Sequence, residues 1–389
     1  MSSLGSSGLA YRPEIDGLRA LAVVSVIFYH MSFFLKGGYY GVDIFFVISG
    51  YLISLIVLRE LKEDGTFSLS KFYERRARRI LPVISLIVFL SIFFAWFTMG
   101  GAQLEAYGLS LLAISTFLSN FVFWQNSGYF APSNDFLPML HTWSLAIEEQ
   151  FYVIFPFFLI ICWKYTRKYL LSILTFAFIG SLVFADWFSR DYIAPEAAFY
   201  LLPGRGWELL SGAVVAKIEM EVGRPHNKIF DAVMPTIGIF LIAYTFIFYN
   251  KDIQHPSFFT LIPILGTIIL IWFCKPGELI TDILSSKILV GIGLISYSLY
   301  LWHVPILVFS RFANLGKLPT HLNYWFIPLI FTLSLISWKF IEVPFRNSEI
   351  ISKRKFILSM FTIWLLIITT GLCFRLFDGL PKRDGFPES

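Results

Sequence analysis

Charge is what this chain has least of. Only 15% of its 389 residues are Asp, Glu, Lys or Arg, against about a quarter in an average soluble protein, too few to cover a water-facing surface. Intrinsic disorder is excluded as well, because it needs low hydrophobicity and high net charge, whereas 57% of the residues are hydrophobic and mean hydropathy is +0.70. Cysteine is scarce: Cys162, Cys274 and Cys373 all lie in apolar runs, so no disulfide framework follows. There is no Cys/His spacing of a metal site, no Gly-rich phosphate loop, no GxSxG and no basic-aromatic RNA motif. Metal, nucleoside triphosphate and nucleic acid are therefore not expected as partners. No internal repeat of the kind that marks many secondary transporters is visible. The net charge of +5 comes from basic residues placed between apolar stretches, where they report orientation in a bilayer.

Length and hydropathy point to an all-α, polytopic membrane helical bundle. Crossing roughly 30 Å of hydrocarbon takes about 20 apolar residues. Twelve runs qualify, near 18-36, 41-59, 80-99, 107-124, 144-163, 170-188, 205-218, 229-249, 257-274, 288-310, 323-341 and 356-376. The first is not a cleavable signal peptide, since no small-residue cleavage site follows it. Residues 60-79 and 164-169 are rich in Lys and Arg and are assigned to the cytoplasm, whereas 125-142 has neither and is assigned outside. Between 79 and 125 lie two runs where an odd number of crossings is required. The second, 107-124, carries Ser110, Ser115, Thr116, Ser119 and Asn120 and is expected to be re-entrant or interfacial. The result is eleven spans, with the N-terminus inside and the C-terminus outside. Residues 1-349 read as one membrane domain, and 350-389 as an extra helix followed by an outer linker.

Ionisable groups at membrane depth are costly and mark function. Arg19 and His30 are eleven apart and share a face of the first helix, about 16 Å along its axis. This places His30 near the bilayer midplane. A desolvated imidazole favours its neutral form, which suits a general base. Asp43 opens the second run, and its Ser49-Gly50 pair at mid-depth reads more simply as close helix packing. Arg75, Arg76, Arg78 and Arg79 lie at the start of the third run, where they bind lipid head groups or clamp the phosphates of a cofactor such as coenzyme A. In HTWSLAIEEQFY, His141 and Glu148 are seven apart and share a face, while Glu149 points elsewhere. Two adjacent carboxylates entering hydrocarbon are hard to explain as packing. Arg205 and Glu208 are three apart and can pair with each other. His303 precedes Pro305, read as a kink, and a lone histidine there is ordinarily a satisfied interior residue.

These segments together resemble the acyltransferase-3 family of bacterial integral-membrane O-acyltransferases. The likeness is carried in order by YRPEIDGLRALAVVSVIFYH, FFVISGYLI, ERRARRILP, HTWSLAIEEQFY and SYSLYLWHVPI, over residues 11 to about 345. It implies a ten-helix domain that takes an acyl group, usually acetyl from acetyl-coenzyme A, on the cytoplasmic side of the inner membrane. The group passes to a hydroxyl of an envelope glycan such as lipopolysaccharide O-antigen, exopolysaccharide or peptidoglycan. It further implies essential roles for Arg19 and His30 and donor contact by Arg75, Arg76, Arg78 and Arg79. Longer members add a periplasmic SGNH-type domain after an eleventh helix, and 356-376 with the GLPKR tail resembles that junction.

The expected site then assigns catalysis to His30, assisted by Glu148 and Glu149, and donor binding to Arg19, Arg75, Arg76, Arg78 and Arg79. Acceptor binding falls to His141, Arg205, Glu208, His303 and Asp43. His30 acts either as a base toward the acceptor hydroxyl or as a covalent acyl relay. The rival expectation is an exporter of an envelope intermediate, in which the buried charges line a path and no donor is consumed.

Overall fold

The computed structural model describes residues 11–127, 136–190, 193–314 and 323–380. The tail beyond residue 380 and the middle of the 125-142 segment lie outside the described residues. Every regular element among them is a helix, and twelve helices have 13 residues or more. These are α1 (Pro13–His30), α2 (Gly41–Glu63), α3 (Leu69–Thr98), α4 (Gly101–Ser115), α5 (Thr142–Thr166) and α6 (Leu170–Phe188). They continue as α7 (Leu202–Val222), α8 (Lys228–Phe248), α9 (Leu261–Phe273), α10 (Ser296–Ala313), α11 (Asn323–Ser337) and α12 (Lys353–Leu376). Each of the twelve apolar runs falls on one of these helices.

Where the ends differ from the runs, local chemistry explains it. α1 starts at Pro13, whose missing amide costs nothing in a first turn, with Glu14 and Asp16 at the positive end of the helix dipole. It stops at His30, so His30 is the last helical residue and not the middle of a run reaching residue 36. α3 begins at Leu69 and therefore carries all four arginines within the helix. The 107-124 run is two helices, α4 and a short Ser119–Gln125, interrupted at Phe117 with φ of 53°. The 288-310 run is also two, a short Lys287–Leu294 followed by α10 at 64°. That bend sits at Ile295, and Pro305 lies within α10 instead of breaking it.

By length and composition, six helical stretches among the described residues can cross a membrane, or seven if the bent pair counts as one. Eleven spans were expected from hydropathy. One of the six stretches, Thr142–Phe188, contains both α5 and α6. α1 fails the same test because Glu14, Asp16 and Arg19 crowd its first two turns, and α7 because it carries Arg205, Glu208, Lys217 and Glu219. Apolar side chains face outward elsewhere, among them Phe176, Ile179 and Val183 on α6 and Ile357, Leu358 and Phe361 on α12. Such faces suit lipid, which is as apolar as they are.

The chain forms two compact units, one of residues Met1–Ser68 and Ile147–Ser296, the other of Leu69–Ala146 and Tyr297–Ser389. α5 begins in the second and continues in the first. In the first unit α2 and α7 meet backbone to backbone. A Cβ on Gly50 would come 1.9 Å from the Leu209 carbonyl oxygen, and one on Gly212 would come 2.1 Å from that of Val47. Gly50→Val is therefore expected to destabilise this unit by about 1–3 kcal/mol or more, read as a lowered unfolding midpoint in detergent. Unlike the exposed Gly180→Val, which meets nothing within 4 Å, it cannot be absorbed by a side chain swinging away. α1 is held in the same manner. A Cβ on Gly17 would lie 2.0 Å from the Leu284 carbonyl oxygen, and one on Gly293 1.9 Å from that of Asp16. Ahead of α1, Arg12 donates to the Tyr51 hydroxyl and the Ile271 carbonyl at 2.6 Å each, and Tyr51 donates to Glu219 at 2.7 Å.

In the second unit α12 packs on α4 through facing glycines. A Cβ on Gly108 would come 2.8 Å from the Gly371 carbonyl oxygen. Trp364 donates to Ser85 on α3 at 2.7 Å, and Arg375 pairs with Glu105. α12 thus shares a unit with α3 and α4, so the compact units do not follow the boundary drawn at residue 349.

Candidate active site

On α1, Arg19 Nη1 reaches Asp16 Oδ1 at 3.3 Å, an i,i+3 pair close to the helix start. Eleven residues on, His30 Nδ1 lies 3.0 Å from the Val26 carbonyl oxygen. A carbonyl only accepts, so Nδ1 carries a proton. Ring contacts lead away from it: His30 to Tyr29 at 5.1 Å between centroids, Tyr29 to Tyr39 at 5.0 Å, and Tyr39 to His255 at 5.3 Å.

His255 belongs to a buried charged cluster. Arg205 Nη2 lies 3.1 Å from Asp43 Oδ1, and its Nη1 lies 3.2 Å from Glu208 Oε1, all three side chains being 0% exposed. His255 Nε2 is 2.9 Å from Asp43 Oδ1 and 3.1 Å from Arg205 Nη1. One ring nitrogen serves only one of these at a time, and burial pushes His255 toward its neutral form. The rings of Phe46 and Phe199 flank the guanidinium at 5.4 and 5.6 Å. The sequence marked Asp43, Arg205 and Glu208 one by one, and the fold brings them together. It did not mark His255, which sits in the polar stretch KDIQHPS, where no periodicity applies. Its one signal there is that it stands among few titratable groups beyond α8.

Glu148 on α5 accepts from Ser49 Oγ on α2 at 2.7 Å. The Ser49-Gly50 pair thus does both things a small pair can do: the glycine admits a backbone and the serine holds a carboxylate. Ser49→Ala should weaken this contact by about 1.5–3 kcal/mol, the range for hydrogen bonds to charged groups, and a double-mutant cycle with Glu148→Gln measures it. Glu149, one residue on, is half-buried.

His141 and Glu148 do not share a helix face, because α5 starts at Thr142 and His141 lies in the turn before it. His141 stands instead with His303 and Tyr300 in the second unit, ring centroids 5.5 Å apart in both pairs. The Tyr300 hydroxyl donates to the His141 carbonyl at 3.1 Å and lies 2.6 Å from Ser144 Oγ. His303 Nδ1 is 2.5 Å from the Tyr300 carbonyl, so it too carries its proton there.

The α3 arginines divide. Arg78 is 3% exposed, with Nε on Glu74 at 3.0 Å and Nη1 on the carbonyls of Phe345 and Ile351 at 3.2 and 2.9 Å. Its guanidinium also covers the Phe356 ring at 4.8 Å. These contacts also make it a strut inside the second unit. Arg75, Arg76 and Arg79 are half-buried. No group of three or more His, Cys, Asp or Glu among the described residues could hold a metal ion.

Comparison with known proteins completes the picture. A family model described as an acyltransferase domain matches residues 12–317. The chain is similar to the peptidoglycan O-acetyltransferase OatA of Listeria monocytogenes, 34% identical over 369 residues, covering 89% of this chain and 57% of that protein. YrhL of Bacillus subtilis, named provisionally as a peptidoglycan O-acetyltransferase, is 32% identical over 367 residues, with 89% and 57% coverage. SAR0937 of Staphylococcus aureus, named provisionally as an O-acetyltransferase, is 30% identical over 385 residues, with 95% and 63% coverage. The chain thus spans about three-fifths of the length of these relatives. No solved structure matches. With four-fifths of its residues under one family model and its motifs in that order, this chain belongs to the acyltransferase-3 family of integral-membrane O-acyltransferases.

Proposed function

We propose that this chain is the membrane part of an O-acetyltransferase that takes acetyl from cytoplasmic acetyl-coenzyme A and passes it to a hydroxyl of an envelope glycan. Peptidoglycan is the favoured acceptor, ahead of O-antigen and exopolysaccharide, because the names of OatA and YrhL carry it. The protein sits in the cell's inner membrane with its N-terminus in the cytoplasm and its C-terminus outside. A periplasmic SGNH-type domain is its proposed partner in completing transfer.

The observation that carries this reading is the state of His30. Its Nδ1 is fixed on the Val26 carbonyl, which orients the ring, and Nε2 is the nitrogen assigned to take a proton. In the proposed step the acceptor hydroxyl loses its proton to His30 Nε2 as its oxygen attacks the thioester carbonyl. The carbon–sulfur bond breaks, and coenzyme A leaves as thiolate and receives that proton. In the covalent version Nε2 itself attacks and carries the acetyl until the hydroxyl removes it. Arg19 in the first unit, and Arg75, Arg76 and Arg79 in the second, are each assigned to donor phosphates, which guanidinium forks match bidentately. Glu148 and Glu149 are assigned to orienting, and Asp43, Arg205, Glu208, His141 and His303 to the acceptor side.

Purified chain incubated with radiolabelled acetyl-coenzyme A, with and without peptidoglycan fragments, tests this. Release of free coenzyme A is expected, with label appearing on the glycan or held on the protein. Label trapped on His30 after rapid quenching selects the covalent version. Glycan movement across a vesicle membrane with no donor consumed replaces the enzyme reading with the exporter.

A further inference from the structure

Arg167 and Lys168 of the 164-169 loop have no role in the acyl-transfer reading, yet they line a cavity. Where α2, α5 and α7 end, the first unit has an open recess of about 620 Å³ bordered by the exposed Lys62, Arg167 and Lys168 and by Trp163, Lys217 and Glu221, within the size range of ligand sites. Lys217 is buried, and its Nζ donates to Glu221 Oε1 at 2.6 Å. Lys62 Nζ reaches the Met220 carbonyl at 3.3 Å. The Arg167 guanidinium lies 4.1 Å over the Trp163 ring, and Lys217 Nζ lies 5.9 Å from the same ring.

Four cations thus face one carboxylate. Other acids of α2 and α7 are engaged elsewhere: Glu60 accepts from the Ser68 amide at 2.8 Å, Glu63 pairs with Arg59 at 2.9 Å, and Glu219 binds Tyr51 at 2.7 Å and Arg224 at 3.5 Å. The three helix C-termini contribute about half a negative charge each, which offsets only part of the excess. Like charges gathered in a recess repel one another, strongly so where one of them is desolvated. A bound anion resolves this, and the flat Trp163 face supplies a wall for whatever carries it.

We propose that this cavity binds a phosphate ester, with Arg167, Lys62 and Lys217 on the phosphate oxygens and Trp163 against the adjoining organic group. The ester is either the phosphate of a soluble nucleotide or that of an anionic phospholipid head group at the membrane face. The site uses none of the residues assigned above to donor or acceptor, so it stands or falls apart from the acyl-transfer reading.

The test uses the purified full chain and its Arg167→Gln, Lys217→Met and double variants, with the exposed Lys287→Gln as control. One arm titrates adenosine 5′-phosphate, which lacks the 3′-phosphate and pyrophosphate of the acyl donor, by calorimetry. The other measures phosphatidylglycerol retained by the protein from mixed phosphatidylglycerol–phosphatidylcholine nanodiscs, by native mass spectrometry. About a tenfold loss per removed cation is expected in at least one arm, with no change for Lys287→Gln. Loss in the first arm identifies a nucleotide, and loss in the second a lipid. Arg167 is exposed, so Arg167→Gln alone keeps the fold. If that variant binds both probes as the parent does, the proposal is overturned.

Discussion

His30→Ala lowers donor-dependent acyl transfer by about 10²- to 10⁴-fold, the range for loss of a positioned acid–base group, and by more if His30 carries the acyl group itself. The side chain is half-buried at the end of α1, and its Nδ1 is bonded to a carbonyl of its own helix. Removing it opens no core cavity, so the unfolding midpoint should stay close to that of the parent. His30→Gln is the informative companion. Its amide nitrogen can still donate to the Val26 carbonyl, but no proton acceptor of comparable basicity remains, and activity should be lost just the same. Transfer rates are read from coenzyme A release in single-turnover experiments. A stably folded His30→Ala protein that retains at least half of the parent rate removes the histidine from the mechanism.

The second large effect is on folding. Arg205→Met leaves the Asp43 and Glu208 carboxylates facing one another at zero exposure with no cation between them. Breaking a buried ion pair on one side costs about 3–5 kcal/mol, because the remaining charge stays desolvated. The same cost applies to Asp43→Ala, which strips Arg205 and His255 of their shared oxygen. The double change Asp43→Leu with Arg205→Met should cost less than the sum of the singles, because Asp43 no longer faces a missing cation and only Glu208 is left unpaired. Urea unfolding in mild detergent, followed by tryptophan fluorescence, gives the cycle. Additive costs would show that the three carboxylate and guanidinium groups do not act as a unit.

Most of the helical plan was legible because membrane helices carry their signal in bulk hydropathy, and each apolar run overlaps a long helix, two of the runs being split into a long and a short one. The failures have distinct physical causes. α1 and α7 are amphiphilic by charge, so the hydropathy that found their centres misjudged their ends, and His30 came out at a terminus. The periodicity linking His141 to Glu148 presumed a helix that starts one residue later. Arg78 looked equivalent to its neighbours because spacing on a helix says which face a residue takes, not what that face meets. His255 and Ser49 were invisible as partners for the same reason: a charge at depth announces itself in a sequence, but the group that neutralises it can come from anywhere in the chain.

The glycine contacts around α1 have a reach beyond their own position. At Gly17 and Gly293 main chain lies against main chain, and unlike a side chain a carbonyl has no alternative rotamer through which to yield. The height of α1 is therefore gauged by rigid parts, and that setting is transmitted along a straight helix to His30, about 20 Å further on at 1.5 Å per residue. One methyl group added at residue 17 would slide or tilt the whole rod, and the nitrogen to which the proposed mechanism gives the reaction would be displaced with it. The precision of the reacting end is set at the opposite end, by atoms the sequence leaves out.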